Sequence, residues 1–284
     1  MGFRKTMQTK NIAFFSRRLL GYIIGFMLFY APFDGFARLI DQVIPPTQLY
    51  SIHEPCFRIP LQYLLDGRIE EAGPVSLVAL VLLAVVSLVF GPLFCGKLCP
   101  AGALTEFLSR LVPSRFQINW PKHVRVTPLR YGFFAGFLLA PFIGITAHCS
   151  YCNFFVFDML ITTAYTQHLP VYSVSLLATF GLWFVLLGLF TRGGRGFCNF
   201  LCPVGAFSSL MHAVGRHLPW SWRMDVHSQA CIGCGKCAAA CPMTALSIRD
   251  SKAVLSQHRC IICQACSHVC PAGAIAYRKG GKDE

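Results

Sequence analysis

Residues 231–242 read CIGCGKCAAACP and residues 260–271 read CIICQACSHVCP, so one cysteine spacing occurs twice. Two residues between successive cysteines let a tight loop present three thiolates to one iron–sulfur cubane. Where such a run is doubled, the fourth cysteine of each run ligates the other cluster. The repeat therefore predicts two [4Fe-4S] clusters. The first set of ligands is Cys231, Cys234, Cys237 and Cys270, and the second set is Cys260, Cys263, Cys266 and Cys241.

A zinc site and a disulfide scaffold fit these runs less well. Zinc uses two cysteine pairs per ion, and a disulfide framework shows no doubled spacing of this kind. Short apolar stretches at residues 245–248 and 274–277 fit the small strands of a ferredoxin-like fold. We therefore expect residues 216–284 to form a small α+β domain that binds both clusters.

The rest of the chain is unusually apolar. Of its 284 residues, 55% are hydrophobic and 13% are charged, whereas soluble domains carry about a quarter charged residues. This composition predicts a membrane protein. The net charge of +13 comes from basic residues beside apolar segments, which indicates a topology signal and not nucleic-acid binding. Clusters assemble in a reducing compartment, so we expect the cluster domain in the cytoplasm.

Four apolar segments approach the roughly 20 residues that a membrane span needs. They are residues 19–40, 75–94, 131–147 and 174–190. Basic residues precede the first, separate the second from the third, and follow the fourth, so the positive-inside rule places both termini in the cytoplasm. The prediction is a basic N-terminus over residues 1–18 and an all-α transmembrane domain of four helices over residues 19–215, in a multi-pass protein of the bacterial inner membrane. A shorter apolar run, residues 154–165, contains Asp158 and is expected at the membrane interface.

An internal repeat lies within this region. Residues 94–103 read FCGKLCPAGA and residues 197–206 read FCNFLCPVGA. Each copy follows an apolar segment, which indicates two related helix pairs, and in such proteins sites form at the repeat interface. The two C-x-x-x-C-P motifs would bring four thiolates together, enough for a cluster or a metal ion. The alternative is that these cysteines pack as small hydrophobes. We refer to them as the tetrad: Cys95, Cys99, Cys198 and Cys202.

Three more cysteines, Cys56, Cys149 and Cys152, fall in segments predicted to face the other side of the membrane. In an oxidising compartment a C-x-x-C pair such as Cys149 and Cys152 can form a disulfide or bind metal, and both alternatives stay open.

Four predicted helices, two F-C-x-x-L-C-P-x-G-A motifs and a terminal pair of cysteine runs resemble the NapH-type membrane polyferredoxins over nearly the whole chain. The resemblance implies ligand roles for the tetrad and for the eight cysteines of the two runs. It also implies quinol oxidation, with electrons passing between the quinone pool, the clusters and a redox partner. Implied partners are membrane lipid and a periplasmic ferredoxin-like subunit, a multiheme cytochrome subunit or a reductase.

The predicted function is membrane-bound iron–sulfur electron transfer, as a quinol dehydrogenase subunit. Two alternatives remain: an accessory factor that reduces a metal such as copper during metalloenzyme maturation, and a redox-sensing regulator. No residue pattern indicates a substrate pocket with a general base, so no catalytic residue is predicted.

Overall fold

The structure is a computed structural model that describes residues 2–30, 32–44, 58–68, 72–143, 152–167 and 173–280. Helices dominate as far as residue 215, and four short strands follow. The larger helices are α1 (Gly2–Phe29), α2 (Gly35–Asp41), α3 (Arg58–Leu65), α4 (Pro74–Phe90), α5 (Pro100–Ser109), α6 (Val126–Leu139), α7 (Asn153–Thr166), α8 (Ser173–Phe180), α9 (Gly196–Phe200) and α10 (Pro203–Gly215). Two π-helical segments occupy Phe94–Leu98 and Gly181–Leu189.

The predicted transmembrane domain is wrong for the part of the chain that the structure describes, where no helix is long and apolar enough to cross a membrane. Helix α4, at the second predicted span, has 17 residues, and α6, at the third, has 14, whereas a span needs about 20. The fourth is divided between α8 and a π-helical segment. The first predicted span is divided between α1, which ends at Phe29, and α2, which begins at Gly35. The predicted multi-pass inner-membrane location with cytoplasmic termini rests on the same spans and is contradicted with them.

The two C-x-x-x-C-P motifs adopt the same local structure. Each begins in a short helical segment, and its second cysteine, Cys99 or Cys202, takes an extended conformation at the N-cap of the next helix. Pro100 and Pro203 then start α5 and α10. Proline suits this first helical position because its missing N–H would have no intrahelical partner there. The sequence repeat is therefore also a structural repeat.

Glycines allow the helices around these motifs to approach closely. A Cβ at Gly25 of α1 would lie 1.8 Å from the carbonyl oxygen of Leu98, and one at Gly215 of α10 would lie 1.9 Å from that of Leu88 in α4. Helix α7 covers residues 154–165, and Asp158 on it is 2% exposed. That segment therefore packs its carboxylate inside the helical part.

The C-terminal part contains β1 (Trp222–Val226), α11 (Lys236–Ala240), β2 (Leu246–Arg249), β3 (Lys252–Leu255), α12 (Ala265–Val269) and β4 (Ile275–Lys279). Strand β1 pairs antiparallel with β4, and β2 pairs antiparallel with β3. Each cysteine run supplies one short helix, α11 or α12, between the two-stranded sheets. This is the small α+β, ferredoxin-like arrangement that the sequence predicts.

The ferredoxin-like part sits directly on the two C-x-x-x-C-P motifs. A Cβ at Gly96 would lie 2.0 Å from the carbonyl oxygen of Ile261, so the two backbones are in contact. Asn199 Nδ2 donates to the carbonyl of Met243 at 3.1 Å. Tyr277 Oη donates to the carbonyl of Phe90 at 2.8 Å. The motifs and the cysteine runs therefore share one interior.

Candidate iron–sulfur sites

The first set lines one small cavity. Its walls include the side chains that the sequence assigns to this cluster, among them Cys270 from the second run. Hydrogen bonds from the backbone N–H groups of Gly233 and Ala253 lower the pKa of Cys231. Backbone N–H donors to sulfur are a normal means of tuning an iron–sulfur cluster. Cys234 is exposed, so this set lies at the protein surface. The cysteines around the cavity are Cys231, Cys234, Cys237 and Cys270.

The second set is deeper. Cys260, Cys263 and Cys266 are buried, and Cys241 from the first run interacts electrostatically with all three. Burial raises the pKa of Cys241 to about 11 and that of Cys266 to about 12. These groups are therefore protonated thiols at neutral pH until a metal displaces the protons. The crossed assignment of Cys241 and Cys270, predicted from spacing, fits the positions of both side chains.

The tetrad is brought together beneath the second set. Burial raises the pKa of Cys95 to about 12 and that of Cys99 to about 11, and both also interact with Cys198. Cys202 interacts with the other three. Cys95 and Cys198 belong to the same apolar cluster as Cys263 of the second set. The repeat thus places four thiols next to a predicted cluster site.

Within the described ranges, no three His, Cys, Asp or Glu side chains converge as they would around one metal ion. A cubane binds its thiolates at separate irons, so its ligands stand farther apart than the ligands of a single ion. Whether the tetrad holds a cluster or a metal ion stays a prediction.

A buried ionic network surrounds Glu106 on α5. Its carboxylate pairs with Arg18 at 2.9 Å and with Arg195 at 2.8 Å, and all three side chains are at most 4% exposed. Burial opposes ionisation of Glu106, but Arg195 and Arg18 outweigh this effect and lower its pKa. Tyr22 Oη accepts from both arginines, at 2.6 and 3.1 Å, and donates to the Gly96 carbonyl. Arg195 also donates to the Cys95 carbonyl at 2.7 Å, so the network holds the first C-x-x-x-C-P motif.

The hydropathy pattern attributes the basic residues on either side of the apolar segments to membrane topology, so the sequence does not predict this network. Arg130 and Arg195 are each 1% exposed, beside the tetrad. One signal was available: Arg195 lies three residues before Cys198, and Glu106 lies in the helix that follows Cys99. Charged residues so close to metal-binding motifs indicate a role at the site.

An apolar cavity of about 240 Å³ adjoins the first motif. Its walls include Phe94 and Leu98 of the motif, and Cys152 and Phe154 at the start of α7. Tyr30 packs against Phe154 with the rings tilted by 41° and their centroids 4.6 Å apart. The Tyr30 hydroxyl is buried and has no hydrogen-bond partner among the described residues.

Of the three cysteines outside the tetrad and the two runs, the structure describes Cys152. Cys152 is the N-cap of α7 and lines this cavity. Cys56 and Cys149 lie outside the described residues, so the alternatives of a disulfide or a ligand set remain predictions.

Two family models match parts of this chain. Residues 72–119 and 175–221 each match the family described as 4Fe-4S binding domain, and residues 230–274 match the 4Fe-4S dicluster domain. Each of the first two stretches contains one C-x-x-x-C-P motif, and the third contains both cysteine runs.

The chain is also similar to several curated proteins. It is 30% identical over 183 residues to the putative electron transport protein YccM of Escherichia coli, which covers 63% of this chain and 49% of YccM. It is 26% identical over 194 residues to the uncharacterized protein MJ0750 of Methanocaldococcus jannaschii, covering 66% and 72% of the two chains. Identity to the regulatory protein NosR of Pseudomonas aeruginosa is 28% over 165 residues, covering 54% and 20%.

The chain thus spans about half of YccM and a fifth of NosR. No solved structure matches it significantly. The narrower resemblance to NapH-type proteins stays a prediction. Over both its helical and its α+β parts, the chain carries 4Fe-4S ferredoxin-type domains, with weak similarity to a putative electron transport protein.

Proposed function

We propose that this protein transfers electrons through three iron–sulfur clusters, held in order by the tetrad, the second set and the first set. One observation carries the proposal: the three cysteine groups are contiguous. Cys95 and Cys198 share an apolar cluster with Cys263, and Cys241 packs against that cluster and also against the one containing Cys237. Clusters with four cysteine ligands supply one-electron transfer when bound. The chain's contribution is to place three such groups side by side from the interior to the surface.

The first set is the proposed point at which electrons pass to a protein partner. Cys234 is exposed, and Ile232 beside it is 68% exposed. Lys236 is also exposed next to this edge. A small apolar patch with a nearby positive charge suits brief contact with an acidic electron-transfer partner, since opposite charges raise the association rate.

A quinol is the proposed electron donor at the other end. The apolar cavity beside Leu98 is close to the lower end of small-molecule pockets, about 300 Å³, and it suits a ring with few polar atoms. Quinol oxidation releases two electrons and two protons. The walls of the cavity hold the ring by apolar contact, the two electrons pass one at a time to the clusters, and both protons leave for solvent.

A large side chain at a residue that lines the cavity should block quinol binding while every cysteine is left unchanged. Ala79 lines the cavity and is 9% exposed, whereas Val81 on the same helix is 59% exposed. Ala79→Phe should slow cluster reduction by a soluble quinol in anaerobic stopped-flow at least tenfold, and Val81→Phe is the matched control. Iron content should be unchanged in both. Equal reduction rates in wild type and Ala79→Phe would exclude this cavity as the quinol site.

The same experiment separates the two alternatives. Clusters that quinol does not reduce, but that copper(II) reoxidises, would favour metal reduction during maturation. Clusters that react with neither, yet change oxidation state with the thiol–disulfide ratio of the buffer, would favour a sensor.

A further inference from the structure

Arg130 lies on α6 between the tetrad and the second set, and its surroundings do not compensate its charge. The residue is 1% exposed. Its Nη1 donates to the carbonyl of His258, two residues before Cys260, at 2.5 Å. Its Nε and Nη2 are buried and have no hydrogen-bond partner among the described residues. A buried guanidinium with two unused donor atoms is costly unless a further acceptor is present.

The unused donors lie beside the tetrad. Arg130 interacts electrostatically with Cys95, Cys198 and Cys202. A Cβ at Gly205, in the second C-x-x-x-C-P motif, would lie 2.9 Å from Arg130 Nη2. No salt bridge joins Arg130 to a carboxylate in the described ranges. The nearby Glu106 is already shared by Arg18 and Arg195.

Positive charge therefore exceeds negative charge on this side of the tetrad. Four protonated thiols would leave that excess uncompensated. A [4Fe-4S] group with four thiolates carries two negative charges when oxidised and three when reduced, which would supply both the missing charge and sulfur acceptors for the N–H groups.

We infer that Arg130 is a positioning residue that donates to ligand sulfurs of a tetrad cluster and, through the His258 carbonyl, ties that cluster to the second set. This inference rests on the proposed function, because it requires the tetrad to hold a cluster. Arg130 places a fixed positive charge in a site of low dielectric, where adding an electron adds negative charge. It therefore favours the reduced form of the tetrad cluster.

The experiment is an EPR-monitored redox titration of the anaerobically prepared holoprotein, together with an iron count. Arg130→Met should shift the equilibrium of one signal toward the oxidised form at least tenfold, about 59 mV for a one-electron couple. Arg130→Lys keeps the charge and should recover most of that shift. Arg125→Met is the matched control, since Arg125 caps the same helix but is exposed to solvent. The shifted signal should be the one that Cys198→Ser removes.

Each outcome bears on one claim. If Arg130→Met holds the full complement of iron and every potential is unchanged, the role of Arg130 is refuted while the clusters stand. If Arg130→Met loses the tetrad signal and Arg130→Lys retains it, the inference is supported. If both variants lose it equally, Arg130 acts through packing and the inference fails. If Cys198→Ser leaves the iron content at the wild-type value, the tetrad cluster itself is refuted.

Discussion

Replacing Glu106 by Gln tests the buried ionic network that holds the first C-x-x-x-C-P motif. The substitution keeps the size of the side chain but removes the negative charge that Arg18 and Arg195 share at 2.9 and 2.8 Å. Both arginines would remain buried without a carboxylate. Removing one partner of a buried ion pair costs about 3–5 kcal/mol, because the remaining charge stays desolvated.

The expected loss is large enough to read from thermal unfolding. At about 2 °C per kcal/mol for a chain of this size, Glu106→Gln should lower the melting temperature by about 6–10 °C. The matched control is Asp225→Asn, which breaks the Asp225–Arg278 pair. Those side chains are 28% and 27% exposed, so solvent screens the pair and its loss should cost no more than about 1 kcal/mol.

The assay is circular dichroism of holoprotein with its iron content measured before each scan. Glu106 has a lowered pKa, so its stabilising effect is complete above its usual value of 4.5 and disappears as the pH falls through the lowered pKa. The difference between wild type and Glu106→Gln should therefore be constant from pH 8 to pH 5, where the carboxylate stays ionised. A melting temperature for Glu106→Gln equal to that of Asp225→Asn would refute the reasoning.

Three further predictions concern other parts of the molecule. Gly96→Ala places a Cβ within 2.0 Å of the Ile261 carbonyl oxygen and should lower the free energy of unfolding by about 1–3 kcal/mol. Gly136→Ala, in open space on α6, is the control and should be neutral or stabilising. The midpoints of denaturant unfolding compare the two variants. Cys270→Ser should abolish the same EPR signal as Cys234→Ser, and loss of the other signal would contradict crossed ligation. Burial lowers the pKa of His212 from 6.5 to about 4, so the free energy of unfolding should fall by about 3 kcal/mol as the pH drops from 6.5 to 4. If His212→Leu loses stability over this pH range as steeply as the wild type, the prediction is wrong.

The grouping of the cysteines could be predicted from sequence because the chemistry of a cluster fixes the spacing of its ligands, and the ligand roles themselves stay predictions. A cubane-binding loop needs two residues between successive cysteines, and the fourth cysteine of each run in a doubled motif ligates the other cluster. Cys270 accordingly lies with the first run and Cys241 with the second. The tetrad was predictable for a related reason, since a ten-residue motif that occurs twice implies a common role.

The ionic network could not be assigned from spacing. Arg18 and Glu106 meet across 88 residues of sequence, and Arg195 reaches the same carboxylate from 89 residues away. Proximity to the C-x-x-x-C-P motifs draws attention to Glu106 and Arg195, but the local pattern does not show that Arg18 pairs with the same carboxylate. Long-range packing decides which basic residues enter the interior.

The predicted membrane spans failed because hydropathy sums ignore backbone breaks. Helix α4 ends at Phe90, and its C-cap Gly91 has a φ of +74° that few other residues adopt. The fourth apolar segment changes from α-helix to π-helix at Gly181. Apolar side chains within it also face the protein: Trp183 is 1% exposed and packs in the main core cluster.

The backbone contact between Gly96 and Ile261 constrains how the protein matures. Once the two parts close against each other, Cys95, Cys198 and Cys263 share a sealed interior, whereas Cys234 still reaches solvent. With clusters at the proposed positions, iron and sulfide would reach the inner cysteines before closure, and the solvent-facing position beside Cys234 would be filled last.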